Sequence, residues 1–135
     1  MIRIFTDAAY NPKTKEAGLG VVLFVNQSRF DYHEFLPQAG DNHEAEFTAV
    51  QLAMQQLGQH VSHQDEVILL HCDSKIVIQS LDKQYAKQEA YHLLLKKSLN
   101  QIAQYPNFYW KWIPEKENLA ADQVARHALH KKLKR

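Results

Sequence analysis

Met1-Ile2-Arg3-Ile4-Phe5-Thr6-Asp7-Ala8-Ala9-Tyr10 carries a short apolar strand, Ile2 to Phe5, directly into a carboxylate, Asp7. The pattern recurs at Val67-Ile68-Leu69-Leu70-His71-Cys72, which runs into Asp73-Ser74. Two strands that each deliver an aspartate at the C-terminal end point to a site at the edge of a sheet. The remaining chain reads as the scaffold and the partners of that site.

Working outward, Asn11-Pro12 and the residues to Lys15 read as a loop. Ala17-Gly18-Leu19-Gly20-Val21-Val22-Leu23-Phe24-Val25 is a continuous apolar strand expected to be buried on both faces. Asn26-Gln27-Ser28 is a turn. Arg29 to Phe35 begins with the alternation of a half-exposed edge strand, which Pro37 ends. Short connections favour antiparallel pairing of these three strands. Asp41 is placed to cap a helix, with Glu44 three residues on as in a capping box. Phe47, Val50, Ala53, Met54 and Leu57 follow at helical spacing, and Gly58 stops the helix. After the Val67–Cys72 strand come a short helix through Ile76–Leu81 and a longer one through Tyr91–Ile102. Phe108 to Ile113 forms the last strand, Pro114 to Asn118 a loop, and Leu119 to Leu133 the final helix. The fold class expected is α/β: a mixed five-stranded sheet, its first three strands antiparallel, with helices on its faces and strand-helix-strand crossovers parallel.

The 135 residues fit one domain, 1–135, large enough for its own hydrophobic core. No apolar run approaches the roughly 20 residues needed to span a membrane, and the first strand is too short for a signal-peptide core. A single cysteine, Cys72, excludes an internal disulfide and a cysteine metal cluster, and its place in an apolar strand suggests a buried, inert thiol. A reducing cytoplasmic location accords with this. Lys+Arg 16 against Asp+Glu 15 gives no global electrostatic case for a nucleic-acid partner. The basic tail His130-Lys131-Lys132-Leu133-Lys134-Arg135 reads either as a solvated helix end or as a phosphate contact.

Positions 46, 50, 53 and 57 share one helical face, so Glu46 extends the apolar stripe that should meet the sheet. The alternative is that Glu46 sits in the first turn, where the helix dipole favours an acid and the stripe is still exposed. Asp122, early in the last helix, is a fourth candidate, or simply an exposed acid at a helix start. Carboxylates converging from separate elements raise one another's pKa unless a cation neutralises them. Oxygen ligands without a histidine or cysteine set suit a pair of magnesium ions rather than zinc. Two such ions, on the order of 4 Å apart, suit in-line attack of water on a phosphodiester.

Phe5-Thr6-Asp7, Ala17-Gly18-Leu19-Gly20-Val21, Asn42-His43-Glu44-Ala45-Glu46, Cys72-Asp73-Ser74, Trp112-Ile113-Pro114 and Asn118-Leu119-Ala120-Ala121-Asp122-Gln123-Val124-Ala125 together resemble type 1 ribonuclease H, in order and over essentially the whole chain. The short bacterial and archaeal members are the nearest in pattern. The resemblance implies a ribonuclease H-like fold and endonucleolytic cleavage of the RNA strand of RNA/DNA hybrids, leaving a 5′-phosphate. It implies that Asp7, Glu46, Asp73 and Asp122 hold two Mg2+ ions, or Mn2+ in their place. It puts Ala8, Ala9, Asn11, Asn42, His43 and Ser74 at substrate-binding positions, Asn42 and His43 in the minor groove, where the 2′-hydroxyl is legible. A monomer without an obligate protein partner is expected.

The chain departs from the family in three respects. Asp7-Ala8-Ala9 stands where members usually have Asp-Gly-Ser, adding a methyl group where the nucleic-acid backbone approaches and removing a hydroxyl. The loop Glu115-Lys116-Glu117-Asn118 lacks the histidine many members carry; Lys116 is either its electrostatic substitute or a solvated loop residue. A basic handle helix is missing, and Lys83, Lys87, Lys96 and Lys97 are scattered, so weak binding with steep salt dependence is expected. The alternative function is a ribonuclease H-like nucleic-acid-binding module with little catalysis. A 3′-5′ exonuclease fits less well, because Ala9 stands where that pattern needs a second acid. His33, His60, His63, His92 and His127 form no ligand spacing, His71 reads as a packing residue, and Trp110 and Trp112 read as core.

Overall fold

The computed structural model describes residues 1–134; Arg135, the last residue of the basic tail, lies outside them. Five strands form one mixed sheet: β1 (Ile2–Tyr10), β2 (Ala17–Val25), β3 (Ser28–Leu36), β4 (Ile68–Cys72) and β5 (Phe108–Trp112), in the order β3-β2-β1-β4-β5. β1, β2 and β3 pair antiparallel, while β4 lies parallel to both β1 and β5. The helices are α1 (Asn42–Leu57), α2 (Lys75–Lys83), α3 (Glu89–Ile102) and α4 (Leu119–Lys131), with a 3-10 turn at Glu115–Glu117. The expected fold class, mixed sheet and helices on both faces, is the one observed.

Several boundaries differ from expectation, each for a physical reason. β1 does not stop at Phe5. The antiparallel ladder with β2 continues to Tyr10↔Ala17, because backbone pairing is indifferent to the loss of apolar side chains after Phe5. Asp7 is therefore internal to β1, opposite Gly20. The parallel ladder with β4 ends at Thr6↔Cys72, so Asp7 and Asp73 are the first residues beyond it. Ser28 pairs with Val25, leaving a two-residue turn with Asn26 at φ 58°. α4 ends at Lys131, and Lys132 takes a left-handed cap at φ 50°. The tail then turns toward the edge of the sheet, where the Phe35 amide donates to the Leu133 carbonyl at 2.8 Å.

The two faces of the sheet are packed differently. Leu19, Val21 and Leu23 of β2 enter the main core with Val50, Ala53 and Leu57 of α1 and Tyr91 and Leu95 of α3. On the opposite face, β2 offers Gly18 and Gly20. A Cβ at Gly18 would lie 2.2 Å from the Ala125 carbonyl oxygen, and one at Gly20 would lie 2.3 Å from that of Ala121. These glycines let α4 lie directly on the strand, with Ala121, Ala125 and Ala128 fully buried beneath it. Small residues on both partners thus set how closely the helix carrying Asp122 approaches the sheet.

Asp41 caps α1, its Oδ1 accepting from the Glu44 amide at 2.8 Å. The return bond of the expected capping box is displaced by one residue: Glu44 Oε2 accepts from the Gly40 amide at 3.0 Å, not from Asp41. Asp41 also accepts a hydrogen bond from the Tyr91 hydroxyl, which ties the start of α1 to α3.

Candidate active site

Asp7 arrives on β1, Asp73 follows the last residue of β4, and Glu46 projects from the second turn of α1. Each offers a carboxylate oxygen to one cluster, within which these atoms all lie within 4.8 Å of one another. Asp7 and Glu46 are 7% and 8% exposed. The first-turn alternative for Glu46 fails, because the stripe Glu46, Val50, Ala53, Leu57 is buried along its whole length.

One donor serves two of these acids. The Ala8 amide donates to Asp7 Oδ1 at 2.9 Å and to Glu46 Oε1 at 3.0 Å. Glu46 Oε2 is buried without a hydrogen-bond partner among the described residues. Burial, followed by the charge of Asp73, pushes the Asp7 carboxyl up to about 7 from its usual 3.8. Burial raises Glu46 well above its ordinary value, with the charges of Asp7 and Asp73 adding to it. Asp73 is raised mainly by burial, against a hydrogen bond from Asn118 that lowers it. Three acids held this close, two of them pushed strongly toward the neutral form, are arranged at a cost that a cation would relieve. This acidic triad could bind a metal ion, and the unpartnered Glu46 Oε2 is a free oxygen ligand for it.

Asp122 lines the same cleft but stands outside the triad. It sits in the first turn of α4, and Arg126, one turn later, donates from Nε to both its oxygens at 3.0 Å. Its charge still contributes to the raised pKa values of Asp7 and Asp73. The structure thus gathers three of the four carboxylates and holds the fourth on the cleft wall.

Ala8, Ala9, Asn42, His43 and Ser74 line the cleft with these acids. The Ser74 hydroxyl also caps α2, accepting from the Val77 amide at 3.3 Å. Asn11 does not line the cleft. Its Oδ1 accepts from the Lys13 amide at 2.9 Å, closing its own loop. Lys75, Lys116 and Arg126 put cations on the cleft wall beside His130, Lys116 being exposed. Among the inert groups, Cys72 is fully buried, which raises its thiol pKa, and accepts from the Ser74 amide at 3.4 Å. His71 stacks on Phe5 at 4.1 Å and donates from Nδ1 to the Ile4 carbonyl at 3.0 Å, so it is a packing residue as expected.

Two residues near Asp73 carry more than their sequence positions suggest. Trp112, expected in the core, is 41% exposed at the end of the edge strand β5; its indole N–H donates to the Asp73 carbonyl at 3.0 Å, and the Lys75 ammonium lies 5.2 Å from its ring. Trp110 is half-buried and donates to Asp82 at 2.8 Å. Asn118, at the start of α4, is 1% exposed and makes no cap to its own helix. Its Nδ2 donates instead to the Thr6 carbonyl at 2.8 Å and to Asp73 Oδ2 at 3.3 Å. From sequence, an asparagine at a helix start reads as an ordinary N-cap, which conceals this role.

Known proteins share this arrangement of elements. A family model described as Reverse transcriptase-like matches residues 5–128. An Enterococcus faecalis protein bearing the name "Putative hydrolase EbsB" is 39% identical over 133 residues, covering 97% of this chain and 96% of that one. LC11-RNase H1, isolated from compost and solved in complex with an RNA/DNA hybrid, superposes with a TM-score of 0.89 at 21% identity, covering 98% of this chain and 99% of that one. RNase H1 from the halophilic archaeon Halobacterium salinarum gives a TM-score of 0.85 at 20% identity, covering 96% of this chain and 98% of that one. With the family match running from β1 into α4 and the ribonuclease H fold reproduced around the acidic triad, the chain belongs to the Reverse transcriptase-like family and has the fold of the ribonuclease H1 structures.

Proposed function

We propose that this chain is a metal-dependent endonuclease that hydrolyses the RNA strand of RNA/DNA hybrids and leaves 5′-phosphate ends. The observation that carries this reading is the Asp7–Glu46–Asp73 cluster, with its unpartnered Glu46 oxygen, at the junction of β1 and β4. Asp7, Glu46, Asp73 and, from the cleft wall, Asp122 would hold two Mg2+ ions, or Mn2+ in their place. When bound, such a pair activates the attacking water and stabilises the leaving oxygen. The protein's own part is to place the carboxylates. The Ala8 amide orients Asp7 and Glu46, and the Trp112 indole fixes the Asp73 backbone. Asn42 and His43, at the mouth of the cleft, would read the minor groove, and Ala8, Ala9 and Ser74 would face the nucleic-acid backbone. The hybrid in the LC11-RNase H1 complex supports this choice of substrate. Within the same reading, residues 1–135 act as one domain, as a monomer in the cytoplasm.

The test is cleavage of an end-labelled RNA/DNA hybrid in magnesium and in manganese, with double-stranded RNA and DNA as controls and Asp73→Asn beside the wild type. Hybrid-specific cleavage that Asp73→Asn loses is the expected result. No cleavage in either ion, or equal cleavage by Asp73→Asn, rejects the reading.

A second reading, a hybrid-binding module with weak catalysis, is favoured by Ala8-Ala9 in the cleft lining and by the engagement of Asp122 with Arg126. Hybrid binding without turnover, together with activity gained in an Ala8→Gly, Ala9→Ser double variant, would establish it.

A further inference from the structure

Asn118 is fully buried, yet its side-chain oxygen has no partner among the described residues. An unsatisfied buried carbonyl costs free energy that an apolar residue of similar size would avoid. The amide orientation is set by its surroundings. The Thr6 carbonyl can only accept, so Nδ2 must face it, and the same nitrogen then reaches Asp73 Oδ2. One side chain from the start of α4 thus bridges β1, one residue before Asp7, and the carboxylate of Asp73 that follows β4. It crosses the point where the parallel ladder ends at Thr6↔Cys72 and backbone pairing no longer holds the two strands together. Besides Asn118, the Asp73 carboxylate is held by a hydrogen bond from its own backbone amide. The Trp112 indole grips its backbone carbonyl, and no other side-chain donor to its oxygens is found among the described residues.

We infer that Asn118 is a positioning residue: it fixes the Asp73 carboxylate in the orientation that binds metal, and locks the helix bearing Asp122 to the same two strand ends. This rests on the metal-dependent reading above. The bond to Oδ2 restrains rotation of the Asp73 carboxylate, and the bond to Thr6 ties the start of α4 to the strand position just before Asp7. Asn118 touches no substrate; it acts through Asp73. Partners in this outer position, when removed, commonly lower metal affinity or activity by about 10- to 100-fold.

The experiment uses the whole chain. Calorimetric titration with Mg2+ compares the wild type, Asn118→Ala and Leu95→Ala, the last a core variant in α3 that destabilises the fold away from the cleft. Asn118→Ala should bind Mg2+ at least about 10-fold more weakly. Its hybrid cleavage should recover at high magnesium, with KM for the hybrid unchanged. Leu95→Ala should lose thermal stability and keep its affinity. Equal Mg2+ affinity in Asn118→Ala and wild type overturns the inference, as does an equal loss of affinity in Leu95→Ala at matched melting temperature. A measurement on the wild type keeps the inference testable if Asn118→Ala does not fold. In NMR titration with Mg2+, the Asn118 side-chain amide signals should shift with the same midpoint as the calorimetric heat; signals that do not move overturn it. Failure of the wild type to bind Mg2+ at all would instead remove the metal-dependent reading on which the inference stands.

Discussion

The triad and Asp122 are two ways of holding a carboxylate at one cleft. Asp7, Glu46 and Asp73 sit on elements locked by the central sheet and the main core, two of them nearly out of water. Asp122 stands on α4, one-third exposed and in an i,i+4 ion pair with Arg126. The first group is held together against its own repulsion by the fold. The second is kept in place by a surface ion pair of the kind that contributes little to stability. The difference separates a rigid part of the site from an adjustable one, and it can be tested by weakening each part separately.

The largest effect should come from the rigid part. Asp7→Asn should lower hybrid cleavage by about a thousandfold, the few kcal/mol that metal polarisation supplies. Asp122→Asn should cost about tenfold less than that, in single-turnover rates at saturating magnesium. Equal losses would dissolve the distinction.

Next is the contact that brings the two parts together. Gly20→Ala would place a methyl group 2.3 Å from the Ala121 carbonyl oxygen, a backbone atom that cannot rotate away. α4 must lift, so thermal and denaturant unfolding should show a loss of about 2 kcal/mol or more. The rate should fall with it, because Asp122 moves with the helix while the triad stays.

A pH titration separates the parts by charge. The Asp7 pKa is raised from 3.8 to about 7 on folding, mainly by burial and then by Asp73. A raised carboxylate contributes stability that is fully present below about 3.8 and lost as pH rises through about 7. Metal-free protein should therefore lose stability across that window, and Asp7→Asn should make the loss smaller, leaving the part owed to Glu46 and Asp73. Mg2+ competes with the protons of the clustered acids, so its affinity should rise with pH through the Asp7 window, by up to about tenfold per unit for each proton displaced. Calorimetry in buffers of different ionisation heat would count the proton released.

The smallest effect belongs to the tie on the adjustable arm. Arg126→Ala should leave the melting temperature unchanged and lower the magnesium needed for half-maximal cleavage by about twofold, because a screened surface pair gives way to a free carboxylate. A large loss of stability would show that Arg126 is structural.

Much of this was legible in the chain, for identifiable reasons. The apolar runs of β2 and β4 and the stripe of α1 carry their burial in their composition, so the fold could be read from spacing, while spacing left Glu46 either on the buried stripe or in an exposed first turn until the structure buried it. Gly18 and Gly20 were visible as a motif, but the reason for them lies in α4, about a hundred residues later. β1 outruns its apolar stretch because β2 holds it there, a fact written in the partner strand. The side of β5 that carries Trp112 pointed to the core, yet the sheet ends at that strand and leaves the ring in solvent. Asn118 was hidden for a similar reason. Its partners, Thr6 and Asp73, lie 112 and 45 positions away, and no local pattern links them.

The two glycines of β2 have a further consequence, in the order of events during synthesis. Among the described residues the floor they leave is closed by α4, which is made after all five strands. Until residues beyond 118 are available, the β1–β2 half of the sheet lacks its cover, and the Thr6 carbonyl and Asp73 lack their bridge. Contacts of such long sequence separation form late and slow folding. In a nascent chain Asp7, Glu46 and Asp73 therefore emerge well before Asp122, and the four-carboxylate site proposed here is complete only once α4 has docked on the sheet.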